Sequence, residues 1–329
     1  MTFTCANITQ KPQLALIIIC FLMLSCRHTD IKSTHLPEIN SDINIDTQIN
    51  TDIKTDSDTK TDIDTITDAD TDTDTDSITD TIIDTDTDTD AITDTDAKPD
   101  IKTYIENNWQ AYGYKEKPNK FIALTFDDGP CPPHFYGGSA ALLKILETYK
   151  VKATFFVVGE NITENAEITH VMAAGGHELG NHSYGHQNLG DNRGFTAAAI
   201  ERNLKAASQI IKEITGEDPR IMRPPYISFG SAVINTCADM GMAIIIGNDV
   251  RDWDKTYTPE MIKNNVFNIA RDGGIIIMHD TYAAHNRTIL AMPDIITGLR
   301  ERGYWFLTVS ELAELKEITL EAGKIYHHF

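Results

Sequence analysis

The chain has 329 residues, with 49 Asp and Glu against 28 Lys and Arg and a formal net charge of −21. Residues 27–100 alone hold 22 of those acids and five of the bases, which leaves 27 against 23 elsewhere. The near-balanced remainder offers no strongly basic nucleic-acid face, and the acidity of one segment says little about what the rest binds. Five cysteines, at positions 5, 20, 26, 131 and 237, form no C-x-x-C pair, which removes support for a zinc-knuckle or thioredoxin-like reading. Cys131 and Cys237 are read either as free buried thiols or as a disulfide.

Residues 1–25 have the pattern of an export signal: Lys11 precedes an apolar run from Leu14 to Leu24 that is short for a membrane span. The run ends at Leu24-Ser25-Cys26, which resembles a lipobox, with Cys26 as the lipidation site. An ordinary cleaved signal or a short anchor stays open as the alternative. Residues 26–117 are expected to form a disordered spacer, dominated by Thr-Asp repeats such as Thr71-Asp72-Thr73-Asp74. Residues 27–100 contain no Phe, Tyr or Trp. Few apolar groups and much like charge cannot offset ordering entropy. As a flexible coil the segment would reach roughly 50 Å. The repeats lack the glycine and distal glutamate of an EF-hand loop.

From about residue 118 the pattern changes. Strand-like apolar runs are expected at 121–126, 153–158, 177–182, 220–224, 243–248, 274–279 and 304–309. Helix-like stretches lie between them at 139–149, 163–174, 196–214, 231–241, 259–271 and 289–302. This alternation predicts an α/β fold, an irregular (β/α)7-type barrel over residues 118–315 with a tail at 316–329. Such barrels gather their sites at the carboxyl ends of the strands.

Polar motifs stand at those ends. Thr125-Phe126-Asp127-Asp128-Gly129-Pro130 closes the first run. Side chains alternate along a strand, so Asp127 and Asp128 are expected to point in different directions, one binding and the other doing chemistry. His182-Ser183-Tyr184-Gly185-His186 has a spacing that can set two imidazoles on one metal. With one carboxylate, two histidines leave zinc an open position for water; cobalt, nickel and manganese accept the same donors. Arg223-Pro224-Pro225-Tyr226 follows the fourth run, and Arg223 could depress the pKa of a catalytic aspartate. Asp252 could hold His279 as a protonated general acid. His177 reads as a packed core residue. His134 and Tyr136, in the loop after the first motif, read as solvent-facing. No G-x-S-x-G or Ser-His-Asp arrangement suggests a covalent route.

These stretches, in this order, resemble the polysaccharide deacetylases with a NodB-homology domain, carbohydrate esterase family 4. The resemblance covers about residues 118–312. It implies Asp127 as general base, Asp128, His182 and His186 as metal ligands, and Arg223 as support for Asp127. It further implies a Tyr226 backbone N–H for the oxyanion, Asp252 tuning the general acid His279, and Trp253 and Ile277 walling the acetyl methyl. Ile227 stands where the family often has glycine, and Ile277 where leucine is usual. The expectation is a membrane-tethered envelope enzyme using a divalent metal, most simply Zn2+. It would remove N-acetyl groups from peptidoglycan or chitin-like polymers as a monomer, with a membrane but no nucleic acid as partner. An O-acetyl esterase, for example on xylan, and a non-catalytic glycan-binding lipoprotein are the rivals.

Overall fold

The computed structural model describes residues 100–132, 138–191, 193–280 and 286–329. The signal-like leader, Cys26, most of the Thr-Asp spacer, His134 and Tyr136 lie outside the described residues. The strands are β1 (Lys120–Asp127), β2 (Thr154–Val157), β3 (Glu178–Asn181), β4 (Ile221–Met222), β5 (Ala243–Ile245), β6 (Asn248–Asp249), β7 (Gly274–His279), β8 (Tyr304–Phe306) and β9 (Ile325–Tyr326). The helices are α1 (Ile101–Asn108), α2 (Gly138–Thr148), α3 (Gly159–Glu164), α4 (Ala166–Ala174), α5 (Ala197–Thr215), α6 (Ser231–Asp239), α7 (Pro259–Ile269), α8 (Arg287–Glu301) and α9 (Val309–Leu315).

All strand pairs are parallel, in the order β6-β7-β1-β2-β3-β4-β5-β9, with β8 beside the first half of β1. β5 and β6 lie toward opposite ends of that order, yet only Ile246 and Gly247 separate them. Two residues bridge about 11 Å at most, so the sheet must curl until its ends meet, which makes an irregular barrel. Gly247 permits this junction: a Cβ there would sit 2.8 Å from the Ile275 carbonyl oxygen. The expected run 243–248 thus splits in two, its first part pairing with β4 and its last with β7.

Alternation along β1 sorts the core into two layers. Ile122, Leu124 and Phe126 face outward among Leu142 and Leu146 of α2 and Ile295 and Leu299 of α8. Ala123 faces inward with Phe156, Ile221, Ala243, Ile245 and Ile275. Ile101, Ile105, Leu312 and Leu315 join this inner cluster, and α9 starts against Thr154 and Glu178 at the beginnings of β2 and β3. Helices α1 and α9 therefore plug the amino end of the barrel and leave the carboxyl end for a site.

Both expected boundaries of the folded region move outward. The spacer was expected to run to residue 117, but Asp100 caps α1, and Ile101, Ile105 and Tyr114 are buried. The Tyr114 hydroxyl donates to the Tyr304 carbonyl at 2.7 Å. Aromatic residues return from Tyr104 onward, and the burial of Ile101, Ile105 and Tyr114, not the first strand, marks the domain edge. The tail at 316–329 is also part of the barrel. Its strand β9 pairs with β5, His328 bridges to Gly274, and the Phe329 N–H donates to the Gly273 carbonyl at 2.9 Å. The tail thus lies between β5 and β7 at the amino end, where an open seam would leave backbone groups unpaired. No disulfide joins Cys131 to Cys237.

Candidate active site

Strand register assembles the site. β1 and β7 pair with Asp127 opposite His279, and β3 and β4 pair through Asn181 and Met222, one residue before His182 and Arg223. Asp127 lies on the inward face with Ala123 and Thr125. Strand alternation alone would send Asp128 to the opposite face from Asp127. Instead Asp128 has φ 72°, so the chain turns as the strand ends and both carboxylates line one cavity. The side chain of Asn161 donates to the Asp128 carbonyl at 2.7 Å and holds that turn.

Asp128, His182 and His186 converge. One oxygen of Asp128 lies 3.1 Å from His182 Nε2 and 2.9 Å from His186 Nε2. His182 Nδ1 is 2.6 Å from the Arg223 carbonyl oxygen, which can only accept, so Nδ1 carries a proton. In the neutral ring Nε2 is then a bare lone pair aimed at a carboxylate oxygen. Two acceptors about 3 Å apart repel unless a cation lies between them. All three donor atoms lie within 4.8 Å of one another, so the residues fit a shared metal ion. Asn181 fixes the histidine loop: its amide donates to the Leu204 carbonyl and to Ser208, and its oxygen accepts from the Ser183 N–H.

Arg223 is fully buried and donates to Asp127 at 2.6 Å, Thr125 Oγ1 at 2.7 Å and the Ile245 carbonyl at 3.1 Å. Its guanidinium lies 4.1 Å from the centre of the Phe156 ring. Burial pulls the guanidinium pKa down and Asp127 pulls it back up. A guanidinium stays charged regardless, so Asp127 faces a fixed positive charge.

Asp252 is fully buried and accepts from His279 Nδ1 at 2.7 Å, from the His279 backbone N–H at 2.8 Å and from Thr288 Oγ1 at 2.6 Å. Arg287 donates to the Asp252 carbonyl. Burial alone would lower the His279 pKa; Asp252, with Asp127 and Asp128 behind it, reverses this and raises it to about 10. His279 is therefore an imidazolium at neutral pH.

The cavity, about 420 Å³, is lined by Asp127, Asp128, His182, His186 and His279 and by Tyr226, Ile227, Asp249, Trp253 and Ile277. That size suits a small-ligand site. Ile277 is 3% exposed and forms the floor, while Trp253 at 47% and Tyr226 at 65% stand at the mouth. Trp253 is held by Asp249, which accepts from its indole N–H at 2.8 Å. Of the residues singled out in the sequence, Asp127, Asp128, His182, His186, Tyr226, Trp253, Ile277 and His279 line this cavity, and Arg223 and Asp252 are buried behind Asp127 and His279. Asn161, Asn181 and Thr288 were missed, because each bonds a partner distant in the chain; Asp249, whose partner Trp253 is only four residues on, was given no role. His177 is partly buried, edge-on to Phe155, and burial lowers its pKa to about 4, which agrees with a packing role.

The family model for polysaccharide deacetylases matches residues 114–245, a stretch that includes Asp127, Asp128, His182, His186, Arg223 and Tyr226 but ends before Asp252 and His279. The chain is 37% identical over 213 residues to a bifunctional xylanase/deacetylase of Pseudobutyrivibrio xylanivorans, covering 64% of this chain and 33% of that protein. It is 32% identical over 209 residues to a peptidoglycan-N-acetylglucosamine deacetylase of Bacillus cereus, covering 61% and 92%. The solved Xyl-CE4 domain of a multidomain xylanase from the hindgut metagenome of Trinervitermes trinervoides matches with a TM-score of 0.58 at 36% identity, covering 64% of this chain and 98% of that one. This chain thus spans about a third of the first relative and nearly all of the other two. With its motif residues gathered at one barrel mouth and relatives matched almost end to end, the chain belongs to the polysaccharide deacetylase family.

Proposed function

We propose that the chain is a metal-dependent hydrolase that removes acetyl groups from N-acetylated sugars, with peptidoglycan as its polymer and chitin-like oligomers as soluble substitutes. The observation that carries this reading is the facing pair of acceptors, Asp128 Oδ1 and His182 Nε2, 3.1 Å apart, in the same cavity as a paired acid and a paired imidazolium. A divalent cation at Asp128, His182 and His186, most simply Zn2+, supplies Lewis acidity toward water and the acetyl carbonyl when bound. Asp127, paired with Arg223, takes a proton from the attacking water. The Tyr226 N–H, set by the Pro224-Pro225 turn, donates to the carbonyl oxygen as charge builds on it. His279, held by Asp252, gives its proton to the leaving sugar nitrogen, and acetate and a free amine depart. Trp253 and Ile277 confine the acetyl methyl.

Peptidoglycan is favoured by the name of the Bacillus cereus relative. The xylanase/deacetylase relative favours a second reading, hydrolysis of O-acetyl esters on xylan, because the same groups can attack an ester. Acetate release from peptidoglycan, chitin oligomers and acetylated xylan, with and without a chelator, separates the two. Release from the first two, abolished by chelation and restored by zinc, is expected. Release only from xylan would transfer the function to the ester. No release from any would favour a non-catalytic glycan-binding protein, a reading that the complete set of acid, base and ligand residues disfavours.

The proposal includes a lipid tether at Cys26, a position at the cell envelope and a monomeric chain. Its support is the leader pattern ending at Cys26, ahead of the spacer. Incorporation of labelled palmitate that is lost in Cys26→Ala would bear this out; unchanged labelling would remove the tether.

A further inference from the structure

Tyr226 and Ile227 are consecutive non-glycine residues in the left-handed region, with φ of 60° and 53°. The nine non-glycine residues with positive φ among those described include Asp128, Ser183, His186 and Arg251. Asp128 and His186 meet at the candidate metal site. The backbone of Ser183 is bonded to Asn181, and that of Arg251 to Asp249. Ile227 differs from the rest: it alone of the nine is β-branched, the side-chain type for which this backbone is most unfavourable. Its side chain belongs to none of the three apolar clusters of the fold and is 39% exposed. The residue thus bears a backbone cost without the core burial that would offset it, and it does so on the wall of the catalytic cavity. A strained backbone held beside an active site points to a contact made only with ligand.

Depth within the cavity identifies that contact. Ile277, 3% exposed, lies where the acetyl group must go; Ile227, much more open, lies at the mouth with Tyr226 and Trp253. What meets the mouth is the chain that carries the acetylated sugar. We infer that Ile227 is a specificity-determining residue whose branched side chain packs on the C–H face of the pyranose next to the one being deacetylated. This rests on the glycan reading above. The carbon groups that Ile227 leaves in water are covered only when a second sugar is present, so the contact favours oligomers over single acetylated units.

The test uses the full chain loaded with zinc, in wild type, Ile227→Ala and Ile227→Gly. Alanine removes the contact and keeps the strained backbone; glycine removes both. For a tetramer of N-acetylglucosamine, KM is expected to rise about fivefold in both variants, the effect of uncovering a methylene or two, while kcat changes less than about twofold. For 4-nitrophenyl acetate, which has no second ring, KM is expected to be unchanged. Ile227→Gly alone is expected to melt higher, by about 2–4 °C. Equal tetramer KM in all three proteins overturns the inference, as does a lower melting temperature in Ile227→Gly, which would make the side chain a structural one. If wild type releases no acetate from the tetramer, the function proposed above fails by itself. Calorimetric binding of the tetramer then decides the contact: weaker binding in both variants upholds it, and equal or absent binding removes it.

Discussion

The two ends of the barrel each hold a partly buried carboxylate at a strand terminus, and they treat it in opposite ways. At the amino end Glu178 accepts from the Ser310 N–H at 3.1 Å, from the Ser310 hydroxyl and from Thr154 Oγ1 at 2.9 Å. Burial raises its pKa, and these donors pull it back. At the carboxyl end Asp128 meets two imidazole nitrogens, and the neutral tautomer of His182 favoured by its bond to the Arg223 carbonyl turns a lone pair toward it. An acid surrounded by donors is a fastening for α9. An acid facing a lone pair is stabilised by a cation between them, and that asymmetry marks a site without reference to any relative.

The largest effect that would break this contrast is loss of the cation site. His182→Ala should lose bound metal and at least about a thousandfold in activity while keeping its fold, measured by elemental analysis and circular dichroism. Metal retained at full stoichiometry would mean that the facing acceptors do not hold it. Asp127→Asn should bind metal normally and lose about a hundredfold or more in kcat. Activity close to wild type would remove Asp127 as the base.

A smaller change is expected in pH dependence. His279 is raised from the ordinary imidazole value of 6.5 to about 10. A raised folded pKa means that its stabilising contribution is complete below 6.5 and is lost as pH rises through about 10. A cation beside Asp127 and Asp128 offsets part of their charge, so metal loading moves the value down. Asp252→Asn removes the main partner, and the alkaline limb of kcat/KM should shift toward acid by about one to two units. Thr288→Val takes one donor from the Asp252 carboxylate and leaves its charge more available to His279, so it should shift the limb slightly the other way, and Thr288→Ser should restore it. An unmoved limb in Asp252→Asn would mean that another group supplies the proton. The smallest effect on catalysis belongs to the amino end. Glu178→Ala leaves donors of Ser310 and Thr154 unpaired, costing about 1–3 kcal/mol and lowering Tm by several degrees, with kcat unchanged. A large fall in kcat would erase the distinction between the two ends.

Much of the site was legible because its residues stand in short motifs at the ends of apolar runs. Asp127-Asp128, His182 with His186, and Arg223 are chemistry-bearing types at the places where a parallel sheet exposes them. Less was legible where a residue acts through a distant partner. Thr288 lies 36 positions from the carboxylate it bonds, and Asn181 reaches Leu204 and Ser208 across a helix packing. The short strand β9 escaped notice because its two residues lie in no longer apolar run, and β6 was read as one run with β5. Helix α1 was hidden beside a low-complexity stretch whose composition masked the turn to aromatic residues at about 100.

The sequence by itself determined the strand-helix alternation, the alternation of side chains along β1 and the chemical types of the candidate donors, since these depend on local periodicity and residue chemistry. Only the tertiary structure decided that Asp128 turns into the same cavity as Asp127, that the last residues lie in the barrel seam, and that His182 presents its unprotonated nitrogen to a carboxylate. Each of those depends on a backbone sign or on a bond between segments far apart in the chain, such as His182 to the Arg223 carbonyl, which no local pattern encodes.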